Sequence, residues 1–222
     1  MRTLILCFIA FGLMTPMTRT LANEILFQAA AGNDVVILSE LIQDGIDLEI
    51  RDDRGRTALL IATRNSAIAA VVLLMQVGAD VNAKDDIEDS PYLYAGAEGP
   101  REILQLALAH GADLKAVNRY GGTALIPAAH HGHVNIVRDL VETDIDINHV
   151  NYLGWTALLE TVILGDGSAR YVEITKILLC GNARIEIADA DGLTPLDHAQ
   201  QLGQEDVVQL LEARRDNQTS GC

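Results

Sequence analysis

Residues 57–59 read Thr57-Ala58-Leu59, and the way this short stretch recurs decides the fold. A second marker, glycine, keeps the same step of 33 residues at Gly45, Gly78 and Gly111, with Asp144 where a fourth glycine would fall. Two markers in phase predict a chain built from repeated structural units. The equivalents of the first marker are Ser90-Pro91-Tyr92, Thr123-Ala124-Leu125 and Thr156-Ala157-Leu158 at steps of 33, and Thr194-Pro195-Leu196 after a step of 38.

Both markers have a physical reason to stand where they do. A Thr or Ser hydroxyl can cap the first helix of a unit, and a proline at the next position has no N–H to lose. Glycine can end the second helix in a left-handed conformation. Between the markers, apolar residues recur at helical spacing, such as Val71, Leu74 and Met75. The pattern therefore predicts helix–turn–helix units capped by Thr57, Ser90, Thr123, Thr156 and Thr194.

The period and the Thr-Pro-Leu opening resemble the ankyrin repeat family. The resemblance covers residues 24 to about 213 and implies an all-α solenoid of six helix–turn–helix units joined by β-hairpin-like turns. The family's histidine after Thr-Pro-Leu is missing, so apolar packing is expected to replace the usual polar link between neighbouring hairpins. The stretches that carry the resemblance are Asp53-Arg-Gly55-Arg-Thr57-Ala-Leu59, Gly78-Ala79-Asp80-Val-Asn82 and Asp191-Gly192-Leu-Thr194-Pro195-Leu196-Asp-His-Ala199.

The predicted organisation has three parts. Residues 1–22 are interpreted as a secretory signal peptide, with Arg2, an apolar run from Leu4 to Leu13, and small residues before a cut ahead of Asn23. The alternative, a buried N-terminal helix, would be interrupted at Thr15-Pro16. Residues 23–215 form the six-repeat ankyrin domain, with a five-residue insertion near 165–170, and residues 216–222 form a polar tail.

Localisation and partner class follow from the leader, the charge and the resemblance. The stretches Thr123 to Val134 and Leu153 to Glu160 resemble ankyrin proteins exported by proteobacteria, so a periplasmic or secreted location is expected. The formal net charge of −15 argues against nucleic acid or anionic membranes as partners and favours a protein with a basic surface. No later stretch is long and apolar enough for membrane insertion, and a monomer is expected.

The turns between units are the predicted protein-binding surface. In this architecture they project in a row beside the inner helices. Aromatic and charged residues dominate interface energetics, so those at the tips are the predicted contacts. For Trp155 the alternative is packing between units, since it precedes the capping Thr156. The predicted contacts are Arg54, Asp86, Glu88, Arg119, Tyr120, Tyr152 and Trp155.

Catalysis, cofactors and metals are not predicted. No sequence motif places a nucleophile beside a base or cradles a phosphate. His130, His131, His133 and His149 invite a metal-site interpretation, but Gly132-His133 matches the Gly-His turn of the family, so a structural role is favoured. The predicted chain is not an enzyme and needs no cofactor.

A disulfide is predicted between Cys180 and Cys222, because exported cysteines seldom stay unpaired. Cys180 aligns with Gln43, Gln76 and Glu142 of the other units and should lie at the polar edge of its helix. Mixed or intermolecular pairing is the alternative.

Three functions remain open at this point. The leading one is a periplasmic protein-binding module, and the resemblance implies support of an oxidative-stress enzyme such as catalase as one role. The second is an immunity protein that masks a toxic enzyme acting on the cell envelope. The third is a metal-dependent hydrolase.

Overall fold

The computed structural model describes residues 16–216 as a stack of helix pairs. This range holds twelve helices and no strand, which confirms the all-α prediction. Unit 1 comprises α1 and α2, unit 2 comprises α3 and α4, and so on to unit 6. The helices are α1 Pro16–Ala31, α2 Val35–Gln43, α3 Ala58–Arg64, α4 Ile68–Gln76, α5 Pro91–Ala97, α6 Arg101–Ala109, α7 Leu125–His130, α8 Val134–Val141, α9 Ala157–Ile163, α10 Ala169–Cys180, α11 Pro195–Gln201 and α12 Glu205–Arg215.

The core consists of layers that repeat with the units. The first helix of each unit, here the inner helix, packs on the inner helices of its neighbours, and the second, outer helices pack on one another. Residues in equivalent positions are buried in successive units, which explains why Leu, Ile and Ala can build the core with few aromatics. The inner ladder comprises Leu26, Leu59, Tyr92, Leu125 and Leu158, and the outer ladder comprises Leu74, Ala107, Leu140 and Leu178.

Four of the five predicted helix caps are confirmed. The hydroxyls of Thr57, Ser90, Thr156 and Thr194 each accept a hydrogen bond from the N–H three residues on. In these four units the cap carbonyl also accepts from the N–H four residues on. Thr194 and Asp197 form a full capping box, since the Asp197 carboxylate accepts from the Thr194 N–H at 2.8 Å.

The prediction that Thr123 caps α7 is wrong. The residue four positions after it is Pro127, which has no N–H to donate to the Thr123 carbonyl. The Ile126 N–H donates to the Thr123 carbonyl instead, at 3.2 Å. The helix α7 begins at Leu125, one residue later than the corresponding helices of units 2, 3, 5 and 6. The buried Thr123 hydroxyl therefore makes no hydrogen bond within residues 16–216.

The second marker also has one exception. Gly45, Gly78 and Gly111 take the left-handed conformation, with φ of 77°, 92° and 85°. Asp144 does not; the hydroxyl of Thr143 closes the end of α8 by donating to the Leu140 carbonyl at 2.6 Å and accepting from Ile145 N–H at 3.3 Å.

The insertion in unit 5 is shared between a turn and a helix. Residues 164–168 separate α9 from α10, whereas three residues separate the two helices of every other unit. The remaining inserted residues lengthen α10, which has 12 residues against 9 in α6. The insertion therefore extends an outer helix as well as a loop.

Both ends of the described range bear on the predicted boundaries. α1 starts at Pro16, so the predicted cut between Ala22 and Asn23 falls inside this helix. α12 ends at Arg215. The signal peptide, its cut and the bounds of the repeat domain stay predictions. None of the helices between residues 16 and 216 is both long and apolar enough to cross a membrane.

Candidate protein-binding site

The turns that precede the inner helices share one backbone design. We call residues 51–56, 84–89, 117–122, 150–155 and 188–193 the tip turns. In the tip turn of unit 4, the Asn118 N–H donates to the Gly122 carbonyl at 2.9 Å. The Asn118 side-chain oxygen accepts from Tyr120 N–H at 2.9 Å and Gly122 N–H at 3.0 Å. Each tip turn thus satisfies its main chain with its own Asp or Asn side chain. These anchors are Asp52, Asp85, Asn118, Asn151 and Asp189.

The fifth position of the tip turn is left-handed in every unit that has one. Glycine stands there in four of the five turns, and Glu88 takes φ of 66° in unit 3. Because main-chain groups are satisfied inside the turn, the side chains just after the anchor are not needed to hold it. They are available to a partner.

Polar bonds link neighbouring tip turns in pairs. The Asp86 N–H donates to the Arg54 carbonyl at 3.1 Å, and the Tyr152 N–H donates to the Tyr120 carbonyl at 3.0 Å. The expectation that apolar packing replaces the polar link is therefore wrong for these pairs. Two side chains add to the links: Arg51 donates to the Lys84 carbonyl, and His149 Nε2 donates to the Gly121 carbonyl at 2.6 Å.

Asp89 of unit 3 forms ion pairs with both neighbouring units. The Asp89 carboxylate lies 3.2 Å from the guanidinium of Arg64 in unit 2 and 3.6 Å from that of Arg119 in unit 4. Burial raises the pKa of Asp89, the nearby Asp85 adds to the rise, and the two arginines oppose it. The two arginines thus hold a half-buried carboxylate of unit 3 between them.

The tip turns bring the predicted contact residues to one edge of the stack. Arg54, Asp86, Glu88 and Arg119 are exposed, and Tyr120 and Tyr152 expose 56% and 78% of their surface. Trp155 is only half-buried, and its main chain closes the tip turn on Asn151.

Three exposed apolar residues on the same edge were not predicted. Ile87, Val150 and Leu153 expose 48%, 44% and 55% of their surface. An apolar residue between an Asp or Asn anchor and the left-handed position is the signal that would have found Ile87 and Leu153. We call Tyr120, Val150, Tyr152 and Leu153 the apolar tip patch; its two tip turns are those joined by the Tyr152–Tyr120 bond.

A buried acid supports the tip turn of unit 5. The Asn151 amide donates to Glu160 on α9 at 3.0 Å, and both residues are buried. Burial raises the pKa of Glu160, while the Asn151 bond opposes the rise. In unit 6 the equivalent pair is Asp189 and His198, 2.7 Å apart. These pairs attach a tip turn to its inner helix.

Three potential metal ligands meet at the opposite edge, where inner and outer helices are joined. Glu98, His131 and His133 each offer one donor atom, and the three atoms lie within 4.8 Å of one another. His130 is 3.5 Å from Glu160, and His149 belongs to the tip edge through its bond to Gly121.

Cys180 ends α10 and is exposed, as its alignment with polar residues predicted. It is a disulfide cysteine. Cys222 lies outside the described residues, so the Cys180–Cys222 pairing stays a prediction.

The stacked helix pairs and the row of tip turns define a helical repeat solenoid of the class that binds other proteins. The chain belongs to the ankyrin repeat family, because a family model described as Ankyrin repeats (3 copies) matches residues 3–85 and 92–187. Ankyrin repeats are protein–protein interaction modules, and this general function applies to the chain.

Solved structures agree with this assignment. The chain is similar to an ankyrin repeat domain from Acinetobacter baumannii AYE, with 50% identity and a TM-score of 0.84 over 86% of this chain and 97% of that one. It is also similar to the ankyrin repeat protein EF0377, with 41% identity and a TM-score of 0.82 over the same shares. No curated protein matches the sequence.

Proposed function

We propose that this chain is a non-catalytic, exported binding module that holds a folded protein partner through its tip turns and the adjoining concave face. The apolar tip patch carries the proposal. Its side chains are exposed, yet the turns beneath them are held by Asn118 and Asn151 without their help. Exposed aromatic and aliphatic groups on a rigid support suit the centre of an interface.

Charge is distributed unevenly along the tip row. The tips of units 2 and 3 present Asp53, Arg54, Asp86 and Glu88 beside the apolar Ile87, whereas those of units 4 and 5 present the apolar tip patch beside Arg119. We infer that the apolar tip patch supplies most of the binding free energy, whereas the charged tips orient the partner. The net charge of −15 would speed the approach of a basic partner over longer range.

Capture from a periplasmic extract with matched variants tests the surface. The tip variant carries Tyr120→Ser, Tyr152→Ser and Leu153→Ser. The control variant carries Val36→Ser, Val77→Ser and Leu202→Ser, which are exposed apolar residues outside the tip turns. A partner should be captured by the natural chain and the control and lost from the tip variant. A partner held equally by both variants would contradict the surface assignment.

Export is a separate part of the proposal. The support is the short apolar run after Arg2 and the small residues before Asn23. Cell fractionation and mass analysis should find a periplasmic chain beginning at Asn23. A full-length chain in the cytosol would contradict it.

The partner class has two candidates. The resemblance to exported proteobacterial ankyrin proteins favours a periplasmic catalase, and deletion of the gene should then lower periplasmic catalase activity. The acidic charge favours a basic toxin as target of an immunity protein, and deletion should then sensitise cells to that toxin. The identity of the captured protein decides between them.

A further inference from the structure

The edge opposite the tip turns brings Glu98, His131 and His133 together across two units. Glu98 ends α5 in unit 3, while His131 and His133 flank Gly132 in the turn between α7 and α8 of unit 4. Gly132 adopts φ of 74°, and His133 N–H donates to the Ala128 carbonyl at 3.0 Å. The two imidazoles are therefore held by a fixed backbone.

His131 is oriented by its own main-chain partner. Its Nδ1 lies 2.8 Å from the Ala97 carbonyl oxygen, which only accepts, so Nδ1 carries the proton of this bond. The neutral ring then has its lone pair on Nε2. A histidine that donates one nitrogen to a carbonyl and offers the other as ligand is the usual arrangement at metal sites. Glu98 Oε1 is 3.1 Å from the same Nδ1, on the protonated side of the ring, so the Glu98 side chain has to rotate to share an ion with Nε2.

His133 supplies an independent observation. Its Nε2 is buried and has no hydrogen-bond partner within residues 16–216. A buried polar nitrogen without a partner costs about 1–3 kcal/mol, so its position calls for an explanation. Packing explains the ring, whose centroid lies 5.9 Å from that of His131 in an edge arrangement, but it gives Nε2 no partner.

We propose that Glu98, His131 and His133 bind a divalent transition-metal ion of the zinc class. Two imidazole nitrogens and one carboxylate oxygen suit such an ion, with a fourth position left for water. Ligand atoms on a tetrahedral zinc ion lie about 3.4 Å apart, so donors within 4.8 Å need only side-chain rotation. Glu98 is exposed, so its side chain can rotate while the bond from Nδ1 to the Ala97 carbonyl keeps His131 in place. The ion ties unit 3 to unit 4.

One cation lies close to this site. The Arg170 side chain covers Gly132, since a Cβ built there would be 2.5 Å from Arg170 Cδ. Its guanidinium lies 5.3 Å from the centroid of the Tyr171 ring, which is an attractive arrangement for a cation. The negative charge of the Glu98 carboxylate offsets the remaining repulsion between Arg170 and an incoming metal ion.

Zinc titration of the untagged, chelator-treated full chain under non-reducing conditions tests the proposal. Calorimetry should find one Zn²⁺ per chain, and Tm should rise by about 5–10 °C at a free zinc concentration near 100 times Kd. His131→Gln with His133→Gln should abolish both effects, and Glu98→Gln should weaken binding at least about tenfold. His110→Gln, an exposed histidine elsewhere, is the matched control and should bind like the natural chain.

Zinc binding that survives the double histidine variant, or a natural chain that takes up no zinc, would overturn the proposal. If the double variant fails to fold, Glu98→Gln alone decides, because its side chain is exposed and its loss leaves the fold intact. An anomalous signal at the zinc edge should lie about 2.0–2.2 Å from an imidazole nitrogen of each histidine. A signal elsewhere would also overturn it.

Discussion

The two edges of the stack are held in different ways. At the tip edge every turn uses the same device, an Asp or Asn that satisfies its own main chain. At the opposite edge three junctions use three different side chains. Asn33 accepts from Ala70 N–H at 2.8 Å, Tyr171 donates to the His130 carbonyl at 2.8 Å, and Gln204 donates to the Val162 carbonyl at 2.9 Å.

This difference separates two tasks. A turn that supports itself leaves its outward side chains to be chosen for a partner. A junction that needs one particular residue of its neighbour fixes which units stand side by side, because another unit in that place would leave the bond unmade. The tip edge is thus uniform in backbone and varied in surface, and the opposite edge specifies the order of the units.

The largest expected effect is loss of a tip anchor. Asn151→Ala removes the acceptor of Leu153 and Trp155 N–H and the donor to Glu160, all at 3.0 Å. We expect the free energy of unfolding to fall by about 3 kcal/mol, measured by urea denaturation, with hydrogen exchange localising the loss to unit 5. Asn135→Ala, exposed on α8, is the control and should change it by less than about 0.5 kcal/mol. Equal losses would remove the distinction between anchors and other asparagines.

The next largest expected effect is the loss of the Gln204 side chain at the opposite edge. Gln204 donates to the Val162 and Gly165 carbonyls of unit 5 at 2.9 and 3.2 Å. Gln204→Ala should lower the free energy of unfolding by about 1–2 kcal/mol and weaken hydrogen-exchange protection mainly in α11 and α12. Gln200→Ala, exposed in α11, should leave both unchanged. Protection lost evenly along the stack would show that this bond does not set a junction.

Thr123 is the exception among the helix caps, so the same Thr→Val substitution should have opposite effects on stability at Thr123 and at Thr156. Thr123→Val removes a buried hydroxyl without a partner and should stabilise the fold by about 1 kcal/mol. Thr156→Val removes the acceptor of Leu159 N–H and should destabilise it by about 1 kcal/mol. Thermal unfolding of the two variants shows directly whether each substitution raises or lowers Tm. The same sign in both would contradict the role given to Pro127.

The smallest expected effect concerns the acid behind the Asn151 anchor. Burial raises the folded-state pKa of Glu160 above its ordinary value of 4.5. The folded chain therefore keeps this proton to higher pH than the unfolded chain, so stability falls as pH rises from about 4.5 through the folded pKa. Glu160→Gln keeps an acceptor for Asn151 and should stabilise the fold at pH 7 by about 1 kcal/mol or less.

Urea denaturation between pH 4.5 and 7 should show that Glu160→Gln raises the free energy of unfolding, by an amount that grows with pH. A constant difference across this range would contradict the raised pKa.

Much of the fold could be predicted because its rule is local. A cap, a left-handed glycine and a period of 33 recur in each unit, and the failure at Thr123 is itself readable from Pro127 four residues later. The exposed residues of the tip turns were predicted in part, since residue type does not tell which apolar side chain escapes the core. Ile87, Val150 and Leu153 were missed for this reason.

The opposite edge was less predictable because its bonds join residues of different units. Glu98 and His131 are 33 residues apart, so they occupy equivalent positions in successive units and must lie side by side. That register was available in the sequence. The position of His133 Nε2 was not, because it depends on how the turn around Gly132 packs against its neighbours.

The paired bonds of the tip row have a mechanical consequence. Main-chain hydrogen bonds tie the tip turn of unit 2 to that of unit 3 and that of unit 4 to that of unit 5, and within residues 16–216 none ties unit 3 to unit 4. The ion pair between Asp89 of unit 3 and Arg119 of unit 4 spans that gap at 3.6 Å. Bending the row there exchanges an ion pair for hydration, which costs less than breaking a main-chain bond. The concave face is therefore stiff within each pair and compliant between the pairs, and salt softens that joint.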